Sequence, residues 1–466
     1  MIGKERTGIT MSELALLGGT PVRSAPFRSS AVINGGEWSR IQEVLKREEF
    51  SRFMGSPTPD INKLLTMTSE EAVDLGGQYF SFLGGRMIRQ FEAEFAGKFG
   101  VTYAISVNAA TSGLAAALGA VDVGPGDEVI TTCMSFNATA MSILVFNAIP
   151  VFVDVEDETF CMDPEAIERA ITPQTKAILV VHLLGNPADM DAIMAIARKY
   201  NLRVIEDAAQ APGTIFRDRY VGTIGDIGVY SFQETKNIMT GEGGMIVTND
   251  PSLARKARLI RNHGESIPDD SWDDAALVNL VGLNFRMTEL TAAMGSSQLE
   301  KLDENNRART NNALFLREEM QSLPGIVLPV FKDGTVPHIF SMLYDESVTC
   351  VDRQKLLAAV RAEGIPVGSG YLRLMYENPL FLKKIAYGKK HCPWSCHLYG
   401  KERTYKKGDC PVGEELLRRR FIWFYNINRP NTPEDMQDVS KAFRKVLNNI
   451  ESLRKAEVNF SIPYKW

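Results

Sequence analysis

The chain has 466 residues, 44% of them hydrophobic and 23% charged, with a net charge of −5. That length can bury two sizeable cores, and the mild acidity gives no reason to expect nucleic acid or an anionic membrane as partner. Six cysteines in so long a chain, with no secretory apolar region at its start, point to reduced thiols in the cytoplasm.

The first ten residues have little apolar pattern, which makes Met11 a candidate natural start. Residues 52–85 form an irregular excursion, readable as a lid, an oligomer contact, a mobile loop or plain surface chain. From Tyr103 to Thr248, short apolar runs alternate with helical patterns. The runs are Tyr103–Val107, Glu128–Cys133, Pro150–Val155, Ala177–His182, Leu202–Glu206, Gly228–Phe232 and Gly244–Thr248. Between the first five lie Ser112–Val121, Phe136–Phe146, Pro164–Ala170 and Met190–Tyr200, all helix-like. This βαβ alternation predicts an α/β fold with a mostly parallel sheet covered by helices on both faces. The most apolar stretch, Ala138–Val155, is broken by Asn147 and Pro150 and carries Asp154, so it reads as a helix and a buried strand, not a membrane span. Asn284–Glu304 reads as a helix leading into a second region, and Met436, Val439, Phe443, Val446, Leu447 and Ile450 repeat at helical spacing behind Thr432 and Pro433. The expected organisation is an N-terminal segment, 1–90, beside the smaller domain; a large domain, 91–305; and a smaller α/β domain, 306–466.

Ligands of such sheets sit beyond the carboxyl ends of the strands. Asn108, Thr132, His182, Asp207 and Ser231 fall at or just past those ends. No Gly-x-Gly-x-x-Gly follows the first strand, which leaves a dinucleotide site of that kind unsupported. Asp207 lies in V-I-E-D-A-A-Q-A-P-G, and Lys236 follows twenty-nine positions later in V-Y-S-F-Q-E-T-K-N-I-M-T-G-E-G-G. Pyridoxal phosphate chemistry needs these two residue types. A lysine amine holds the aldehyde as a Schiff base, and a carboxylate keeps the pyridine nitrogen protonated so that the ring can accept electrons. A solvated lysine and a strand-end acid that forms a turn are the plainer alternatives. Position favours the pair: glycines 241, 243 and 244 let backbone pass close to a flat ring, and Ala208 and Ala209 leave room beside Asp207. Gln210 is then within reach of the ring's phenolic oxygen.

Ala109-Ala110-Thr111-Ser112-Gly113 opens a helix directly after the first strand, where amides and hydroxyls make a phosphate cradle; capping alone would explain Thr111 or Ser112 equally. Phe136 is either core or a stacking platform. His182 is either a satisfied strand-end histidine or a contact to substrate or cofactor. His391-Cys392-Pro393-Trp394-Ser395-Cys396-His397, with Cys410 further on, could bind zinc, although the spacing is C-x3-C-H rather than paired C-x2-C. Reduced thiols in a substrate-facing loop are the alternative, and no metal is assigned.

F-E-A-E-F-A, V-G-P-G-D-E-V-I, P-V-F-V-D-V, D-P-E-A-I-E-R-A-I-T-P-Q-T-K-A-I, V-I-E-D-A-A-Q, S-F-Q-E-T-K-N-I-M-T-G-E-G-G and N-F-R-M-T-E-L-T-A-A-M-G-S-S-Q-L are also found here. Through them the chain resembles the DegT/StrS family of pyridoxal phosphate-dependent sugar aminotransferases, of the aspartate aminotransferase fold (fold type I). L-A-L-L-G-G-T-P-V-R and Cys410-Pro411-Val412-Gly413-Glu414 are similar to the branch acting on cyclitol ketones and aminobenzoate precursors. The resemblance implies a large domain with a mostly parallel seven-stranded sheet, Lys236 as Schiff-base residue and Asp207 as partner of the ring nitrogen. It places Gln210 at the ring oxygen, Phe136 on the ring, and Thr111, Ser112 and Ser231 on the phosphate. Asn284 would reach the phosphate of a neighbouring subunit, making a homodimer, and Arg286 would contact substrate across that interface. The implied reaction is ping-pong transfer of an amino group from glutamate or glutamine to a keto-sugar, nucleotide-linked or free, or to a keto-cyclitol. Dehydratase relatives carry histidine in place of the lysine, so Lys236 argues against that lyase chemistry. A non-catalytic, cofactor-binding regulator is the third reading, without a DNA-binding helix pair or basic arm to support it. The chain departs from the family pattern at Asn108-Ala109-Ala110-Thr111, where Asn-Gly-Thr is usual, and in the length of the 52–85 excursion.

Overall fold

The computed structural model describes residues 13–28, 32–53, 61–75, 82–264 and 281–457. Two sheets organise them. Strands β1 (Tyr103–Val107), β2 (Glu128–Thr132), β3 (Ile149–Val153), β4 (Thr175–Val181) and β5 (Arg203–Asp207) alternate with helices. A two-stranded hairpin, β6 (Ile215–Phe216) and β7 (Arg219–Tyr220), precedes β8 (Ile227–Ser231) and β9 (Gly244–Thr248). The seven-stranded sheet has the order β1-β9-β8-β5-β4-β2-β3, with β9 alone antiparallel to its neighbours. This is the mostly parallel α/β sheet that the alternating pattern predicted.

Both faces of the sheet are buried, which is why its strands read as continuous apolar runs. Ile105, Val107, Ile227, Val229 and Ile246 point to the face covered by helices Ala110–Ala120 and Pro251–Arg261. Their neighbours Ala104, Tyr230, Met245 and Val247 point to the other face, against helices Arg86–Phe99 and Glu289–Glu300. The helix read over Asn284–Glu304 starts later, at Glu289, where the Thr288 side chain accepts from the Thr291 N–H at 3.2 Å. Before it, the chain is extended along the end of β1, and the Asn108 N–H donates to Phe285 O at 2.8 Å.

The second sheet comprises β10 (Ile326–Val327), β11 (Phe340–Tyr344), β12 (Val367–Gly368) and β13 (Phe421–Phe424), antiparallel in the order β10-β11-β13-β12. Helices Leu302–Met320, Arg353–Ala362 and Pro433–Asn448 share its core. The last of these opens on a capping box between Thr432 and Asp435, with Pro433 as first helical residue. Residues 13–28 join this unit: Glu363 accepts from the N–H groups of Ala15 and Val22, and Arg23 pairs with Asp435 at 3.0 Å. The following helix, Gly35–Arg47, lies instead on Glu289–Glu300, where Gln298 donates to Glu37 at 2.6 Å. Of the 52–85 excursion, the helix Ile61–Thr66 packs on Pro251–Arg261, burying Leu65 against Leu259; residues 54–60 and 76–81 lie outside the described residues.

Candidate active site

The sheet's carboxyl ends gather the site. Asp207, the last residue of β5, is 5% exposed; Thr139 donates to its Oδ2 at 2.8 Å and the Ala209 N–H to its Oδ1 at 3.2 Å. Burial pushes its carboxyl above the ordinary aspartate value, and these bonds and the Lys236 charge offset only part of the rise. Glu206, one residue earlier on the opposite face, behaves differently. Burial raises it too, but His182 and the N–H groups of Gly222, Ile224 and Gly225 outweigh that and leave it lowered.

Lys236 stands in the turn between β8 and β9, held by its N–H to Gln233 O at 2.8 Å; Glu234 N–H to Gly241 O closes the turn at 2.9 Å. Gly241 has φ +83°, a conformation that favours glycine. Desolvation, with the Arg309 charge adding to it and Asp207 opposing, lowers the Lys236 amine to about 8. Such an amine exchanges its proton close to neutral pH.

Gly244 pairs with Ser231 on one side and Val107 on the other, and a Cβ there would meet Ala110 N at 2.8 Å. Its missing side chain lets the helix Ala110–Ala120 begin beside Ser231. The N-cap, Ala109, has no side-chain acceptor to offer, so the first-turn amides, with the exposed Thr111 and the half-buried Ser112, form a positive end without a protein cap. Phe136 is 65% exposed just past β2, a ring that the core does not bury.

The other sequence-derived candidates fall as follows. Gln210 accepts from the Leu184 N–H at 2.9 Å and donates to Tyr371 Oη at 3.0 Å, with its second amide hydrogen in reserve. His182 is fully buried: Nδ1 accepts from the Ala188 N–H at 3.2 Å, so Nε2 carries the hydrogen toward Glu206 at 2.9 Å. Asn284 is exposed, with its carbonyl near Asn108 Nδ2 at 3.3 Å, and Arg286 donates to Asn262 at 2.8 Å. Cys410 does not join Cys392, Cys396 and His397; its sulfur lies with Cys133 and Asp154, their ligand atoms within 4.8 Å of one another. Asp154 already accepts from the Val412 and Gly413 N–H groups, both at 2.8 Å.

Residues that sequence reading did not single out complete the cleft. Thr139 supports Asp207. From the second unit come Arg309, His338, Tyr371 and Tyr425. His338 Nδ1 lies 3.3 Å from Asn237 Oδ1, Asn237 donates to Asn306 at 3.0 Å, and Tyr371 packs edge-on against Trp423. Only Thr139, one helical turn after Phe136, left a signal in the sequence; the rest come from distant, unremarkable stretches.

A group with a protonatable ring nitrogen, an aldehyde and a phosphate fits this donor set. The raised Asp207 suits a ring cation, the Lys236 amine makes no hydrogen bond among the described residues, and the uncapped helix end suits a phosphate.

The model of the DegT/DnrJ/EryC1/StrS aminotransferase family matches residues 69–416. The chain belongs to that family. Its cofactor is pyridoxal phosphate. Over 450 residues it is 34% identical to a protein of Streptoalloteichus tenebrarius named, provisionally, an L-glutamine:3-amino-2,3-dideoxy-scyllo-inosose aminotransferase, covering 95% of this chain and all (100%) of the relative. It is 37% identical over 324 residues to the spore coat polysaccharide biosynthesis protein SpsC of Bacillus subtilis, covering 68% of this chain and 83% of SpsC. Among solved structures, the aminotransferase from Psychrobacter cryohalolentis superposes with a TM-score of 0.73 at 28% identity, over 91% of this chain and 100% of the other. DesI, solved with its TDP-sugar product, gives 0.74 at 25%, over 94% and 97%. The seven-stranded sheet, the smaller antiparallel sheet and these likenesses place the chain in the pyridoxal phosphate-dependent α/β transferase fold. No helix among the described residues is long and apolar enough to cross a membrane.

Proposed function

We propose that this aminotransferase moves an amino group from glutamine or glutamate to a keto-sugar or keto-cyclitol, in the cytoplasm and as a homodimer. The observation that carries the reading is the meeting of Asp207, its carboxyl raised by burial, with a Lys236 amine lowered to about 8 beside an uncapped helix end. The cyclitol acceptor and glutamine donor draw support from the name of the Streptoalloteichus relative, and the sugar acceptor from DesI.

When bound, the cofactor supplies an electron sink for the α-carbon of the amino acid. In this reading Lys236 holds the aldehyde and, once displaced, carries the proton away from the donor's α-carbon. Asp207 keeps a proton on the ring nitrogen, and the Thr139 hydroxyl and Ala209 N–H keep its carboxylate in place. Thr111, Ser112 and Ser231 take the phosphate, Phe136 lies on the ring, and the free amide hydrogen of Gln210 faces the ring oxygen. His182 we assign to orientation: it braces Glu206, which ties the loop 222–225 to β5. Asn284 and Arg286 we assign to the neighbouring subunit's site. Lys236 also weighs against the dehydratase reading, whose relatives carry histidine there.

An absorption spectrum of the holoenzyme tests this. Glutamine or glutamate should bleach the long-wavelength cofactor band, and a keto-sugar or keto-cyclitol should restore it. Lys236→Ala should leave neither change; substantial turnover by that variant would end the proposal.

A further inference from the structure

Three buried arginines show how this protein satisfies a guanidinium. Arg258 donates to the carbonyls of Leu64, Leu65 and Met67 at 3.3, 2.9 and 2.7 Å. Arg353 donates to those of Phe421, Leu417 and Arg418 at 2.8, 3.1 and 2.8 Å. Arg261 pairs with Glu92 at 2.7 Å. Arg309, only 3% exposed, is different: it donates one bond, Nη1 to His338 O at 2.6 Å, and no Asp or Glu among the described residues pairs with it. Burial lowers it to about 10, with Tyr425 the only group pulling the other way. A buried cation without an anion costs several kcal/mol, on the order that a bound ligand can offset.

Its position says which ligand. Arg309 projects from helix Leu302–Met320, three residues after Asn306, which bonds Asn237 at 3.0 Å and Pro212 O at 2.9 Å. The His338 it holds turns Nδ1 toward the same Asn237, the residue next to Lys236. The spare positive charge therefore stands beside the reactive lysine. The phosphate has its own cradle at the Ala110–Ala120 helix end, and a free keto-cyclitol carries no negative charge. What remains is the amino acid. We propose that Arg309 receives the α-carboxylate of the amino donor, with its planar fork of N–H groups matched to two carboxylate oxygens. The phosphates of a nucleotide-linked acceptor are the other anion that could meet it. This inference rests on the transaminase reading above.

The test compares two amines on the holoenzyme: L-glutamine, and 4-aminobutanamide, which is glutamine without its α-carboxylate. Arg309→Gln should lower the rate of band bleaching by glutamine about 100-fold, and by 4-aminobutanamide less than about 3-fold. Calorimetry with glutaramate, glutamine without its amine, gives a readout independent of turnover; its affinity should fall by a similar factor, about 100-fold. Arg309→Lys keeps a charge and the His338 contact; if Arg309→Gln does not fold, the same comparison in this variant, folded by thermal melt, decides. Equal losses with both amines would make Arg309 a structural brace and overturn the proposal. So would unchanged glutamine discrimination, or losses confined to a nucleotide-linked acceptor. If wild type bleaches with no donor, the transaminase reading falls, while glutaramate binding still judges Arg309.

Discussion

The two walls of the cleft are built in opposite ways. The wall from the seven-stranded sheet comes from one stretch of chain, Asn108 to Gly244, in which strand after strand delivers a polar residue at its carboxyl end. The wall from the second unit comes from a helix, two strand edges and a turn: Arg309, His338, Tyr371 and Tyr425 are spread over more than a hundred positions. The first wall holds groups set for proton chemistry, Asp207 raised and Lys236 lowered. The second holds aromatic rings and a guanidinium with spare bonding capacity. Cofactor chemistry and substrate choice are thus divided between a local and a dispersed surface.

The sharpest way to break that division is Asp207→Asn. An amide cannot hold the ring proton, so turnover should fall on the order of 10³-fold with every donor and acceptor. Thermal stability should change little, because burial already disfavours the charged carboxylate. A loss that varied with the acceptor would show the sheet wall selecting substrate as well.

The Lys236 amine gives the next largest effect. In the cofactor-free protein its reaction with an aldehyde should rise with pH through about 8. At that pH roughly half of the amine is neutral, against about 0.3% for an ordinary lysine, a difference of about 100-fold. Stability follows the same sign. A lysine lowered by folding is penalised wherever the folded chain must protonate it, so its contribution improves as pH rises from about 8 toward the unfolded value. A midpoint near that of free lysine would mean that the cleft does not desolvate this group.

Tyr371→Phe should do least. It removes the hydroxyl that accepts from Gln210, worth about 1 kcal/mol, and should raise one substrate's KM about 5-fold with kcat nearly unchanged. A fall in kcat comparable to that of Asp207→Asn would move Tyr371 from the selecting wall to the chemical one.

Much of this protein was legible in its residues. Continuous apolar runs announce strands buried on both faces, and β1 and β9 begin and end where the pattern places them. The Asp207–Lys236 pair was legible because pyridoxal phosphate chemistry admits few residue types, and because both stand just past strands. The helix at Glu289 was less so: Asn284–Thr288 has helical composition, but its backbone is taken up by the end of β1 and by the Thr288 cap. The cysteine cluster misled for a related reason. Cys392 and Cys396 are near Cys410 in sequence, yet Cys410 is drawn to Cys133 and Asp154, where Asp154 anchors the turn that follows it.

Strand order, the closeness of Gly244 to Ala110 and the spare guanidinium of Arg309 were decided by tertiary structure alone. Sequence pattern reports which face of a segment is apolar, because burial repeats along the chain with the period of its secondary structure. It carries no such record of a cation's missing partner. That depends on which carbonyls and carboxylates the rest of the fold brings within about 3 Å of it.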